Sequence, residues 1–236
     1  VRGVAVAVLV GVSVTGAATS AAPSPRPVAV VACPTAFGAE GETRPPIPGR
    51  LSASVTAREA ARLRFFSDGF VTVLAPRSWT CAGLAAADGG ESLSVFPAHQ
   101  PNPLRADHVP TTAEAVTAFV DYTGHGPGAQ LVCTLFPGTR AARLAAETGG
   151  CAPAAPRETV RRTGAAVARF DDPPGVRGVG VPSGGVNRAV GAVVYPRPRP
   201  EPDSVTVGKV TCTVRPATTD RCRAVVDDFV SRVAPR

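Results

Sequence analysis

"SVTVGKVTCTVRPATTDRCRAVVDDFVSRV", Ser204 to Val233, is the stretch whose reading decides the fold. Its first half alternates apolar and polar residues as far as Val214, the period of a half-buried strand. Its second half changes period. Cys222, Val225, Val226, Phe229, Val230 and Val233 recur at i, i+3, i+4, i+7, i+8 and i+11, which puts one apolar stripe along a helix. Cys212 closes the strand and Cys222 opens the helix facing inward, so a bond between them would pin one to the other. A terminal strand followed by an amphipathic helix that must cover a sheet predicts an α+β domain: an antiparallel sheet with short helices packed on it, stapled by disulfides.

Upstream, "LSASV" alternates like a strand, and Thr56 and Glu59 in "TARE" have capping-box spacing, which predicts a helix to about Phe66 ended by "SDG". "FVTVLAP" reads as a strand, and "CAGLAAADGGESLSVFP" as two strands around Asp88-Gly89-Gly90. In "TTAEAVTAFVDYTG", Thr111 and Glu114 repeat the capping spacing, with Ala115, Val116, Phe119 and Val120 as a helical stripe. "QLVCTLF" reads as a strand, "TRAARLAAE" as a short helix, and "ETVRRTGAAVARF" as one bent or two short strands.

The leader "VRGVAVAVLVGVSVTGAATSAAPSPRP" has a basic start at Arg2, a short apolar core and small residues at Ser20 and Ala22, the pattern of a secretory signal over residues 1–22. No apolar run approaches the ~20 residues of a spanning helix. Residues 23–50, rich in proline and glycine, are expected to be an extended, largely irregular lead-in, and 51–236 one α+β domain. Six cysteines in an exported chain imply three disulfides. Cys133 and Cys151 flank the short helix and would close that loop, which leaves Cys33 for Cys81. None of the cysteines has CxxC spacing, so redox and zinc sites are not indicated, and no cofactor is called for. "VVAC" also fits a lipoprotein cleavage site that would anchor the protein through Cys33; "PSPRP" between it and the apolar core, and the odd cysteine left over, argue for the free secreted form.

The 236 residues carry a formal charge of +7, almost all of it arginine, since Lys209 is the only lysine. Codon bias toward Arg, Ala, Val, Pro and Gly accounts for this composition; an anionic partner, a wall polymer or an extracellular protein, is the functional account, with Arg161, Arg162 and Arg188 as contacts. Nucleic acid would call for basic residues interleaved with aromatics, and nine Phe, two Tyr and one Trp offer no such array.

"VLAPRSWTCAG", "FDDPPGVRGVGVPSGG" and "VTCTV…RCRAVVDDFV" resemble a family of uncharacterised exported actinobacterial proteins over essentially the whole chain beyond the leader. The resemblance implies export and disulfides and brings no activity. Pro76 to Trp79 and Phe229 are similar to the corresponding points of Mog1/PsbP-like sandwiches, which implies a fold and no function.

Ser183 in "VPSGG" matches the nucleophile setting of secreted serine peptidases, and His99 with Asp121 would complete a triad. Pro182 replaces the acidic residue that precedes such a serine, and a hairpin tip between "VRGVGV" and "RAVGAVVY" is the simpler account. His99, Asp107 and His108 in "AHQPNPLRADHVP" have no metal-binding spacing, and His125 lies in a glycine-rich turn without a partner. Trp79 is expected to pack over the Cys81 bridge. Asp171 and Asp172 in "DDPPG" read as a turn facing water, and no phosphate or dinucleotide loop occurs. A secreted, non-catalytic module at the cell envelope is the reading these features favour; a Ser183–His99 hydrolase is the alternative.

Overall fold

The computed structural model describes residues 24–37, 44–86, 90–104, 112–121, 127–139, 142–143, 147, 151, 155–180, 185–195 and 207–234. The expected leader, Ser183, Asp107, His108 and His125 lie outside the described residues.

Two sheets carry the fold. The strands are β1 (Ser24–Ala32), β2 (Thr35–Phe37), β3 (Arg50–Val55), β4 (Leu63–Ser67), β5 (Thr72–Pro76), β6 (Thr80–Ala85), β7 (Gly90–Phe96), β8 (Ala115–Asp121), β9 (Thr159–Thr163), β10 (Val167–Asp172), β11 (Arg188–Val194) and β12 (Val207–Val214). The helices are α1 (Ala57–Arg62), α2 (Pro127–Leu135) and α3 (Asp220–Val233). A four-stranded sheet runs β3-β1-β4-β5 and an eight-stranded sheet β2-β6-β7-β8-β12-β11-β10-β9. The α+β class holds, but the sheets are mixed: β1 runs parallel to β4, and β2 to β6, beside otherwise antiparallel ladders.

The terminal strand and helix form as their periods require. Val210, Cys212 and Val214 of β12 and Cys222, Val225, Val226 and Phe229 of α3 share one buried cluster. Phe66, Val73 and Ala75 of the small sheet join the same cluster, so α3 and the small sheet cover one face of the large sheet. Each fully buried valine or phenylalanine there contributes roughly 1.5–3 kcal/mol. Gly208 gives Phe229 and Val233 room; a Cβ there would lie 2.9 Å from Val233 Cγ1. The opposite face of the large sheet buries Ala168, Phe170, Val193 and Val207 against Val132, Leu135 and Phe136 of α2 and the residue after it.

All three pairs of cysteines stand where spacing put them: Cys33–Cys81, Cys133–Cys151 and Cys212–Cys222, with Cα–Cα distances of 5.5, 5.3 and 5.6 Å. Trp79 is half-buried against the large cluster to which Cys33 and Cys81 belong. The Thr56–Glu59 capping box forms in both directions, Glu59 N–H to Thr56 Oγ1 at 3.2 Å and Thr56 N–H to Glu59 Oε2 at 2.7 Å.

Several expectations are overturned. The lead-in is not irregular: β1 pairs with β3 from Ser24 to Ala29 and with β4 only from Val30. Pro25 and Pro27 therefore lie where one side of β1 is still an edge, the place a strand tolerates a residue without an N–H. The helix expected at 111–124 is strand β8, paired on both sides with β7 and β12. Val116, Ala118 and Val120 face α3's side, and its β-branched and aromatic residues fit a strand buried between two neighbours. "QLVCTLF" is the end of α2 and the turn after it: Pro127 starts the helix at a position where its missing N–H costs nothing, and Val132, Leu135 and Phe136 recur at helical spacing. Helix α1 stops at Arg62, and Leu63–Ser67 joins the small sheet. Val176–Gly180 is a loop and not a strand, because β11 finds its partners in β10 and β12.

Candidate functional site

Two places in the described structure bring charged side chains together. The first is a groove of about 530 Å³ between α1, the β5–β6 turn and the start of α3. Arg58 and Arg62 enter it from α1, Arg77 from the turn and Arg221 from α3, over a floor that includes Ala61, Leu63 and Pro76. All four arginines are exposed, and none is ion-paired among the described residues. Two acids also line the groove. Glu59 is engaged by its own helix cap, where Thr56 donates from both N–H and hydroxyl. Asp220 sits in the first turn of α3, where its charge complements the helix dipole.

Local structure fixes this convergence. Arg58 and Arg62 are one helical turn apart, and like charges at that spacing repel by a few tenths of a kcal/mol. The Arg77 N–H bonds Arg62 O at 2.9 Å, and its guanidinium reaches Ala61 O at 3.3 Å, which ties the turn to the end of α1. A smaller cavity of about 60 Å³ adjoins the groove, sharing Leu63, Pro76 and Arg221 with it. Trp79, Val116, Val214 and Val225 line that cavity beside Cys212. Guanidinium groups with no carboxylate partner among the described residues, around an apolar floor, suit an anionic ligand, since each makes planar, charge-assisted hydrogen bonds to carboxylate or phosphate.

The second place is buried on the α2 side of the large sheet. Asp172, at the end of β10, has no exposed surface. The expectation that "DDPPG" faces water fails for this residue: the side chain falls on the inward side of β10, in line with Ala168 and Phe170. Burial, reinforced by a hydrogen bond with Glu158, pushes its carboxyl up to about 7. Lys209 on β12 is pushed down to about 8 by burial, against the pull of Asp172 and Glu158. Its ammonium donates to Val179 O. Asp171, one residue earlier, faces the other way and takes both guanidinium bonds of Arg188, with Nε–Oδ1 at 2.7 Å. Arg188 is thus committed to an ion pair and is withdrawn as a ligand contact, whereas Arg161 and Arg162 stand exposed on edge strand β9.

The residues of the serine-hydrolase alternative are not assembled by what is described. Asp121 is buried at the end of β8 opposite Gly90, whereas His99 lies in an exposed turn beyond Phe96, at the other end of the β7–β8 pair. Six residues of strand separate those ends, ~20 Å. Among the described residues no group of three His, Cys, Asp or Glu is placed to hold a metal ion, and no helix is long and apolar enough to cross a membrane.

Comparison of the chain with protein-family models, with curated proteins and with solved structures finds no match. The chemistry of the groove and of the buried cluster therefore carries the functional reading.

Proposed function

We propose that this protein is a secreted, disulfide-stapled binding module whose arginine-lined groove takes an acidic extracellular polymer. The single observation that carries the reading is the convergence of Arg58, Arg62, Arg77 and Arg221 on one groove of about 530 Å³. Three disulfides and a net positive charge accord with work in an oxidising compartment at a negatively charged surface. The resemblance to exported actinobacterial proteins supports the same location. Repeating anionic groups along a polymer would bridge α1 to the start of α3 and relieve the repulsion between Arg58 and Arg62.

Binding to immobilised polyphosphate and to poly-glutamate tests this. The Arg58→Gln/Arg62→Gln double variant is compared with Arg161→Gln/Arg162→Gln, which removes equal charge from edge strand β9. Losing two charge-assisted contacts at ~1.4 kcal/mol or more each lowers affinity about a hundredfold or more in the groove variant and flattens its salt dependence. The β9 variant keeps most of its affinity. Equal losses in the two variants would mean that net charge alone attracts the polymer, and the groove reading falls.

A further inference from the structure

The loop after β10 is fastened to the sheet by three ionisable side chains that converge on two residues. Gly180 N–H donates to Asp172 Oδ2 at 2.8 Å, Val179 N–H donates to Glu158 Oε1 at 2.7 Å, and Val179 O accepts from Lys209. The backbone lies directly on the acid. A Cβ added at Gly178 would stand 2.2 Å from Asp172 Oδ1, and one at Gly180 would stand 2.9 Å from Asp172 Oδ2 and 2.4 Å from Phe170. Glycine at both positions is what allows this close approach.

The two carboxyls are cross-strand neighbours. Thr159 pairs with Asp171 at the end of the β9–β10 ladder, so Glu158, the preceding residue, comes opposite Asp172. Like charges directly opposite each other on a sheet repel, and here Asp172 is fully buried and Glu158 half-buried. Asp172 Oδ1 and Glu158 Oε2 are buried oxygens that find no N–H or O–H donor among the described residues. A single proton held between these two oxygens satisfies both and removes one of the two charges.

We propose that the Asp172–Glu158 pair is a proton-operated latch: one shared proton pins the Val179–Gly180 segment to the sheet, and loss of that proton releases it. Among the described residues the surroundings contribute no other acid. Lys209 reaches the segment from β12, Arg162 lies on the same face of β9 but exposed, and Tyr195 is buried further along β11. Arg177, in the loop itself, is exposed, and α2 contains no charged residue. Asp171 and Arg188 neutralise one another on the opposite face.

The direction of the response follows from the raised carboxyl. Released, Asp172 titrates near its ordinary 3.8; latched, it titrates at about 7. The latched form holds the extra proton, so latching is complete below about 4, weakens tenfold per pH unit up to about 7, and changes little above it. Between pH 5 and 8 the opening equilibrium should shift by roughly two orders of magnitude. Neutralisation of Lys209 near 8 then weakens the bond to Val179 O.

Hydrogen exchange of the Val179 and Gly180 amides, corrected for the intrinsic pH dependence of exchange, reads the latch directly. In the wild type, protection should fall by that factor from pH 5 to 8 while β8 and β12 stay protected. Asp172→Asn replaces the proton by a permanent amide donor to Glu158 and keeps an acceptor for Gly180, so protection should be constant across the range. Glu158→Gln removes the neighbouring charge and offers an amide donor to Asp172, so the pH dependence should shrink to the part that burial of Asp172 alone sustains; it serves where Asp172→Asn does not fold. Wild-type protection that is independent of pH, a loss shared equally by β8 and β12, or an undiminished pH dependence in the folded variants would each overturn the proposal.

Discussion

Arg232 offers the sharpest test of how the last helix is held. It lies one turn after Asp228 on α3, and its guanidinium takes that carboxylate at 2.7 Å through Nε and 3.2 Å through Nη2. The same guanidinium donates to Ser52 O on β3 at 2.6 Å and lies 4.3 Å from the centre of the Phe65 ring on β4. The Asp228 side chain is 3% exposed and that of Arg232 25%. Burial raises the Asp228 carboxyl and Arg232 pulls it back toward its ordinary range. Arg232→Met keeps most of the packed stem but strands a buried carboxylate, which costs about 3–5 kcal/mol, with about 0.5–1 kcal/mol more for the lost cation–π contact.

The loss should depend on Asp228 and on pH. Without its partner Asp228 titrates still higher when folded than when unfolded, so the variant regains stability as pH falls and loses it as pH rises through the raised folded value. Urea unfolding at pH 4.5 and 7.5, with Asp228→Asn and the double variant, closes a mutant cycle. Arg232→Met should cost several kcal/mol at pH 7.5 and distinctly less at pH 4.5, and at most about 1–2 kcal/mol in the Asp228→Asn background. Equal costs in both backgrounds and at both pH values would refute the reasoning.

Two further tests probe the sheet and the staples. At Gly191, in the middle of β11, a Cβ would stand 2.1 Å from Val210 O and 2.3 Å from Phe170 Cζ, so Gly191→Ala should destabilise by about 3 kcal/mol or more in thermal unfolding, while Gly164→Ala, in open space at φ +71°, loses about 1 kcal/mol. Replacing both members of Cys33–Cys81, separated by 48 residues, should cost ~4 kcal/mol, against ~3 kcal/mol for Cys212–Cys222, separated by 10; the order in urea midpoints checks the chain-entropy argument.

What the sequence shows plainly is what local chemistry decides. "TARE" carries its capping box in four residues, and the apolar stripe of α3 needs only its own period. The Cys212–Cys222 pairing follows from the strand that one cysteine closes and the helix that the other opens, Cys133–Cys151 from the short loop between them, and Cys33–Cys81 by elimination. The stretch around Val116 fails because Ala115, Val116, Phe119 and Val120 satisfy a helical stripe as well as they satisfy alternation. Only the pairing with β7 and β12, distant in the chain, chooses between them. The groove was illegible for a similar reason: Arg58 and Arg62 announce a turn of helix, but nothing local says that Arg77 and Arg221 come to the same opening. At Asp172 the turn chemistry of "DDPPG" is real, yet side-chain alternation buries the second aspartate and the register of β9 supplies Glu158. One signal was available there. Lys209 is the single lysine of an arginine-rich chain, and it sits inside a strand of otherwise uncharged residues.

Edge strand β9 has a consequence for the protein at high concentration. Among the described residues it ends the eight-stranded sheet and offers an unpaired row of backbone donors and acceptors along Thr159–Thr163. A second copy adding antiparallel to that row, centred on Arg161, would set Arg161 against its own counterpart and Arg162 against the counterpart of Val160. Cationic side chains facing one another across a new ladder oppose its growth, which is how natural sheets keep open edges from seeding fibres. The arginines of β9 thus act as a guard on solubility: neutralising them should leave each molecule folded while removing the barrier to sheet-by-sheet stacking.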